Sequence, residues 1–129
     1  MKGDLFGFLI DDNIQIDINS NRIVKISVDN ANKSCVLGAV TLTDIMMNLL
    51  IYLLENSKGR VISKEELLEK VWDERELRSS TQRLWQIIKG LKSKLAIVGV
   101  PDDFISSCRG QGYIVQCSSI KTLYSVAND

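Results

Sequence analysis

Arg83, Gln86, Lys89, Lys92 and Ser93 recur at helical spacing, on the side of one stretch that faces away from an apolar seam of Leu84, Ile88, Leu91 and Leu95. From Ser79 to Gly99 that stretch holds Arg83, Lys89, Lys92 and Lys94 and no carboxylate. Such a face suits a polyanion, because cationic side chains neutralise phosphates and a glutamine amide can bond adenine N6 and N7 together. A core helix with a lysine-solvated outer face has the same pattern, and the stretch alone does not separate the two. Gly90, midway, costs roughly 1 kcal/mol relative to alanine and so calls for a close neighbour, either DNA or another helix. A second candidate is Arg109 in Arg109-Gly110-Gln111-Gly112. A guanidinium at a glycine-bracketed hairpin tip fits a narrow A·T minor groove, and equally fits a solvated surface arginine.

Other chemistries are not supported. The chain has no histidine, which removes His-based acid/base catalysis and His-ligated metals. Cys35, Cys108 and Cys117 contain no C-x-x-C pair, so they read as buried small hydrophobes in a reducing setting rather than as a zinc site or disulfide framework. Asp11-Asp12 and Asp102-Asp103 read as turn residues, and no nucleophile and base, phosphate-cradling loop or metal cluster can be assembled. Neither an enzyme nor a cofactor is expected. With 129 residues, 45% of them hydrophobic, the chain is one domain with a real core. Net charge is zero, but residues 79–129 carry six basic and three acidic side chains. A local basic surface within a neutral protein still binds phosphates, because screening confines electrostatics to about 8–10 Å. The longest apolar run, Ile45 to Leu54, is broken by Asn48 and Tyr52 and falls short of the roughly 20 residues of a membrane span. The acid early in MKGDLFGF, Asp4, argues against a secretory signal.

The elements that position the candidates follow from pattern. Residues 1–42 hold four strand-like runs (LFGFLI, IQIDI, RIVKISV, CVLGAVTL) separated by turn formers, with Ile14, Ile16 and Ile18 on one face. Residues 43–96 hold three helices. Thr43 caps the first, Asp44 to about Asn56; Gly59 closes the turn after it; Ser63 and Glu66 form a capping box for the second, Lys64 to about Trp72; Ser79 and Gln82 form another for the third, Ser79 to Ala96. The last two make a helix-turn-helix in outline. Residues 104–117 form a hairpin, Phe104–Cys108 with Tyr113–Cys117, and residues 118–129 form a tail that is either docked or frayed.

In order, these segments resemble the winged-helix DNA-binding domain of the OmpR/PhoB response regulators and the ToxR/CadC group of transcriptional regulators. The matching stretches are Thr41-Leu42-Thr43, Gly59 to Leu68 with Val71-Trp72, Leu84 to Leu95, and Ser107 to Tyr113, together nearly the whole chain. The resemblance implies an α+β fold with an N-terminal four-stranded antiparallel sheet, a third helix entering the major groove and a wing reaching the adjacent minor groove. On that reading Arg83, Gln86, Lys89 and Gly90 meet DNA, with Gln86 reading a base. Arg83, Lys89 and Lys92 hold phosphates, Ser80 and Thr81 add contacts at the helix start, and Arg109 with Gln111 forms the wing contact. Trp85 either stacks on sugar and phosphate or packs against the loop Asp73 to Arg78, with packing favoured. In relatives that loop touches RNA polymerase, which makes Asp73, Glu74, Arg75 and Arg78 candidates for a polymerase contact. Dimerisation on DNA is a family expectation.

Ile87 and Gly90 stand where many relatives carry polar or arginine side chains, and Ser107 and Cys108 where threonine and valine are usual. No receiver domain precedes the sheet and no membrane span follows it, so the expectation is a free-standing cytoplasmic regulator or the cytoplasmic part of a longer protein. Neutral net charge, Gly90, Ile87 and Trp85 leave a second reading, a winged-helix module that pairs with another regulator and binds DNA weakly or not at all.

Overall fold

A computed structural model of the chain describes residues 4–28, 34–56, 59–72, 81–117 and 119–124. Four N-terminal strands, β1 (Leu5–Ile10), β2 (Ile14–Asp17), β3 (Arg22–Val28) and β4 (Ser34–Thr41), pair antiparallel as a meander. Alternation puts Phe8, Ile10, Ile14, Ile16, Ile23 and Val40 into the core, so one face of the sheet must be covered. The cover includes α1 (Asp44–Asn56), which buries Met47, Leu49, Leu50, Leu53 and Leu54 in the same core. Thr43 caps it as expected, its Oγ1 accepting from the Met46 N–H at 3.3 Å.

The sheet has five strands where four are expected, because the tail docks. Its strand β8 (Ile120–Tyr124) pairs antiparallel with β1 and gives the order β4-β3-β2-β1-β8. Asp11 and Asp12 form the β1–β2 turn at φ 50° and 62°, which short carboxylate side chains tolerate. They also fasten the tail. The Asp11 carboxylate accepts from the Ser119 N–H at 2.8 Å, and Asp12 pairs with Lys121 at 2.8 Å.

After Gly59, at φ +71°, β5 (Ile62–Ser63) leads into α2 (Lys64–Leu67), whose hydrogen bonding widens into a π-helical turn over Leu68–Trp72. Half of the expected capping box forms: the Glu66 N–H donates to Ser63 Oγ at 3.0 Å. The Glu66 carboxylate turns instead to Arg60, 2.9 Å away, and to the Tyr52 hydroxyl, tying the loop and α2 to α1. These two hydrogen bonds, Arg60's first, hold the Glu66 carboxyl below the ordinary carboxylate range.

The third helix, α3 (Thr81–Ile97), buries Leu84, Ile88, Leu91 and Leu95. Its expected cap at Ser79 lies outside the described residues. Its end is marked by a glycine. Gly99, at φ +84°, donates to the Ala96 carbonyl at 3.0 Å, and the Val100 N–H donates to the Leu95 carbonyl at 3.1 Å, which is a Schellman motif. A 3₁₀ turn at Asp102–Phe104 then delivers the wing, β6 (Ile105–Cys108) and β7 (Gly112–Val115).

The wing is fastened to the helices through β5, in a second sheet of order β5-β7-β6 where Ile62 faces Tyr113 and Ser63 faces Gly112. Gly112 sits at φ +152°, and a Cβ there would stand 1.9 Å from the Ile62 carbonyl oxygen. Backbone cannot yield as a side chain can, so no other residue fits. Gly112→Ala is therefore expected to lower stability by about 3 kcal/mol, at the upper end of ordinary single substitutions; urea denaturation measures it. A loss below about 1 kcal/mol would mean that β5 and β7 separate at little cost.

Candidate nucleic-acid interface

α3 presents three different faces. Directly opposite its buried seam stand Gln82, Gln86, Lys89 and Ser93, all exposed, with Thr81 exposed at the helix start. The Ser93 hydroxyl donates to the Lys89 carbonyl at 3.1 Å, a local bond available to a solvent-facing helical serine. Lys89 lays its ammonium over the Trp85 ring, 5.0 Å from the centroid. Such a contact contributes about 0.5–1 kcal/mol at an exposed site and holds the charge at the surface. Trp85 is itself 53% exposed. The loop it was expected to pack against, Asp73 to Arg78, lies outside the described residues, as does Ser80.

The face toward α1 differs from expectation. A Cβ on Gly90 would stand 2.8 Å from Met46 Cε of α1, so Gly90's close neighbour is a helix. Ile87 is partly buried and packed against the core. Both residues are half-buried on this flank, and Ile87 gives little support to an apolar interaction face there. Arg83, on the same flank, is exposed.

The face toward the wing borders an open groove of about 450 Å³, walled by Trp85, Ile88, Ala96, Ile105 and Tyr113 and edged by Lys89, Lys92, Ser93, Asp102 and Ser107. Lys92 reaches across it, Nζ standing 3.5 Å from Asp102 Oδ1, and is the less exposed partner, 28% against 93%. Burial pushes the Tyr113 phenol up, so it stays a neutral wall. At the wing tip the Gln111 N–H donates to the Cys108 carbonyl at 2.9 Å and Gly110 takes φ +73°, which leaves Arg109 and Gln111 exposed. Among the described residues no carboxylate pairs with Arg109.

The cysteines take different places. Cys108 and Cys117 are half-buried, but Cys35 is exposed rather than buried. It lies on β4, at the edge of its sheet, where Val36 and Leu37 are exposed too. For Cys117, burial and then the nearby Asp11 raise the thiol, which disfavours a reactive thiolate.

A helix with a polar, basic outer face beside a glycine-turned hairpin is a winged-helix arrangement, and comparison with known proteins agrees. The family described as "Transcriptional regulatory protein, C terminal" matches residues 38–115. The chain belongs to that family. It is therefore an OmpR/PhoB-type DNA-binding domain of the transcription-regulator class, a non-enzymatic family. Protein RcaC of Microchaete diplosiphon is 32% identical over 88 residues, 68% of this chain but only 13% of RcaC. The DNA-binding domain of E. coli CadC has the same fold, with TM-score 0.71 and 18% identity over 95% of this chain and 100% of that one. The AdeR DNA-binding domain, solved in complex with an intercistronic region, gives TM-score 0.58 and 19% identity over 80% of this chain and 93% of that one. Among the described residues of this OmpR/PhoB-type domain, no helix is long and apolar enough to cross a membrane.

Gly90's position yields a direct expectation. The Met46 methyl ends a flexible side chain and can turn aside, while alanine gains about 1 kcal/mol over glycine in a helix. Gly90→Ala should change stability by less than about 1 kcal/mol in urea denaturation and leave duplex affinity intact. Unchanged stability with lost affinity would return Gly90 to the DNA surface.

Proposed function

We propose that the chain is a sequence-specific regulator that binds double-stranded DNA with α3 in the major groove and the wing in the adjacent minor groove. The observation that carries this is the joint presentation of Gln86 and Lys89 on the outermost face of α3 and of Arg109 at the tip of the neighbouring hairpin. Membership of a DNA-binding family supports it. So does the acid-free composition of α3. Within this reading Gln86 reads a base, while Lys89, Arg83 and Thr81 hold phosphates and Arg109 with Gln111 enters the minor groove. Ser80 assists at the helix start. Lys92 contributes less than its sequence position suggests, since it already has a carboxylate partner. RNA polymerase as a partner of Asp73, Glu74, Arg75 and Arg78, and homodimerisation on DNA, are parts of the proposal that rest on the family resemblance.

A second reading, pairing with another protein, draws on one observation, the uncharged edge strand β4 with exposed Val36 and Leu37. Salt separates the two, since phosphate contacts make log K fall linearly with log salt by about 0.9 per contact and an apolar contact does not. In fluorescence anisotropy on A·T-rich duplexes at about 50 and 200 mM salt, binding should weaken at least about tenfold between the two conditions. Lys89→Ala and Arg109→Ala should each weaken binding and flatten the salt slope by about one. Gln86→Ala should cost about 1–3 kcal/mol on the preferred sequence and less on others. A weak signal, flat in salt and indifferent to all three substitutions, would remove DNA as the ligand.

A further inference from the structure

The groove between α3 and the wing carries one charge of the wrong sign for a phosphate. Asp102 lines it with Lys89, Lys92, Ser93 and Ser107, almost fully exposed, and its carboxylate stands 3.5 Å from the Lys92 ammonium. An exposed pair of this kind contributes little to stability, so the fold gives no strong reason for an acid here. We propose that Asp102 sets the absolute strength of duplex binding, by holding Lys92 across the groove in the free protein and opposing the strand that enters it. The proposal rests on α3 and the wing being the DNA-binding face.

A duplex that receives α3 in its major groove and the wing in the next minor groove runs its intervening sugar-phosphate strand between them. On this chain that path is the groove above Lys92 and Asp102. As a pair they are neutral, so Lys92 reaches a phosphate only by exchanging one anion for another. Asp102 then remains well within a Debye length, about 8–10 Å, of the strand. The counterion release that a free lysine would contribute is largely cancelled. Phosphates are alike in every sequence, so the effect falls on affinity and salt response and not on base preference.

The neighbouring residue is a built-in control. Asp103 is exposed and adjacent but does not line the groove; its carbonyl accepts from Ser106 Oγ at 2.7 Å, which fixes the turn. Asp103→Asn thus removes the same charge from the chain at a side chain outside the groove lining.

The test measures anisotropy on an A·T-rich duplex and on a scrambled one, at about 50 and 200 mM salt, for the parent chain, Asp102→Asn and Asp103→Asn. Asp102→Asn should tighten both duplexes by about three- to tenfold at the lower salt and by less at the higher, with a salt slope steeper by about one. Asp103→Asn should give less than half of that gain. No gain in Asp102→Asn, or an equal gain in Asp103→Asn, overturns the proposal. If the parent still binds in a salt-dependent way, the DNA-binding reading survives that result. Absence of salt-dependent binding in all three proteins overturns both.

Discussion

The backbone contact between Gly112 and Ile62 is the constraint on which the rest depends. It brings β7 against β5 at a distance that excludes any side chain at Gly112. β5 is only two residues long and leads directly into α2. Positioning the wing therefore positions it against the helical body, and with it the distance from Arg109 to the outer face of α3. Tyr113, the residue after Gly112, is buried and closes the floor of the groove between them. A wing held by a hairpin turn alone would swing. Backbone pairing to a third strand makes it part of the same rigid face.

The helix that supplies most of that face is supported from behind by unequal means. Leu84, Ile88, Leu91 and Leu95 bury its seam, Gly90 lets α1 approach through Met46, and the Schellman motif at Gly99 stops it where the chain must turn toward the wing. The groove side is left partly open, and there one of two lysine charges is balanced: Lys92 is matched to Asp102, while Lys89 keeps its charge at the surface over Trp85. The outer surface of α3 is thus less basic by one charge than a count of its lysines implies.

Much of this was legible from local pattern. Period-two alternation placed Ile14 and Ile16 in the core, four-three spacing placed the α3 seam, and Thr43 and Ser63 marked helix starts because capping is a short-range interaction. What was not legible depends on partners distant in sequence. Docking of Ile120–Tyr124 beside β1 rests on bonds from Asp11 and Asp12 to residues more than a hundred positions later. The reason for Gly90 lies in Met46, and the exposure of Cys35 follows from β4 being an edge strand. The pairing of Lys92 depends on how the chain returns after α3. Gly99 is the exception: a glycine two residues before the only proline was a readable helix stop.

The most direct test of a single face built from α3 and the wing is an amide chemical-shift titration of the chain with an A·T-rich duplex. Concerted shifts are expected at Gln82, Gln86, Lys89 and Ser93 and at Arg109 to Gln111, saturating at one duplex concentration, with β4 and β8 unmoved. Shifts confined to β4 and its exposed Val36 and Leu37, with α3 and the wing tip silent, would contradict it.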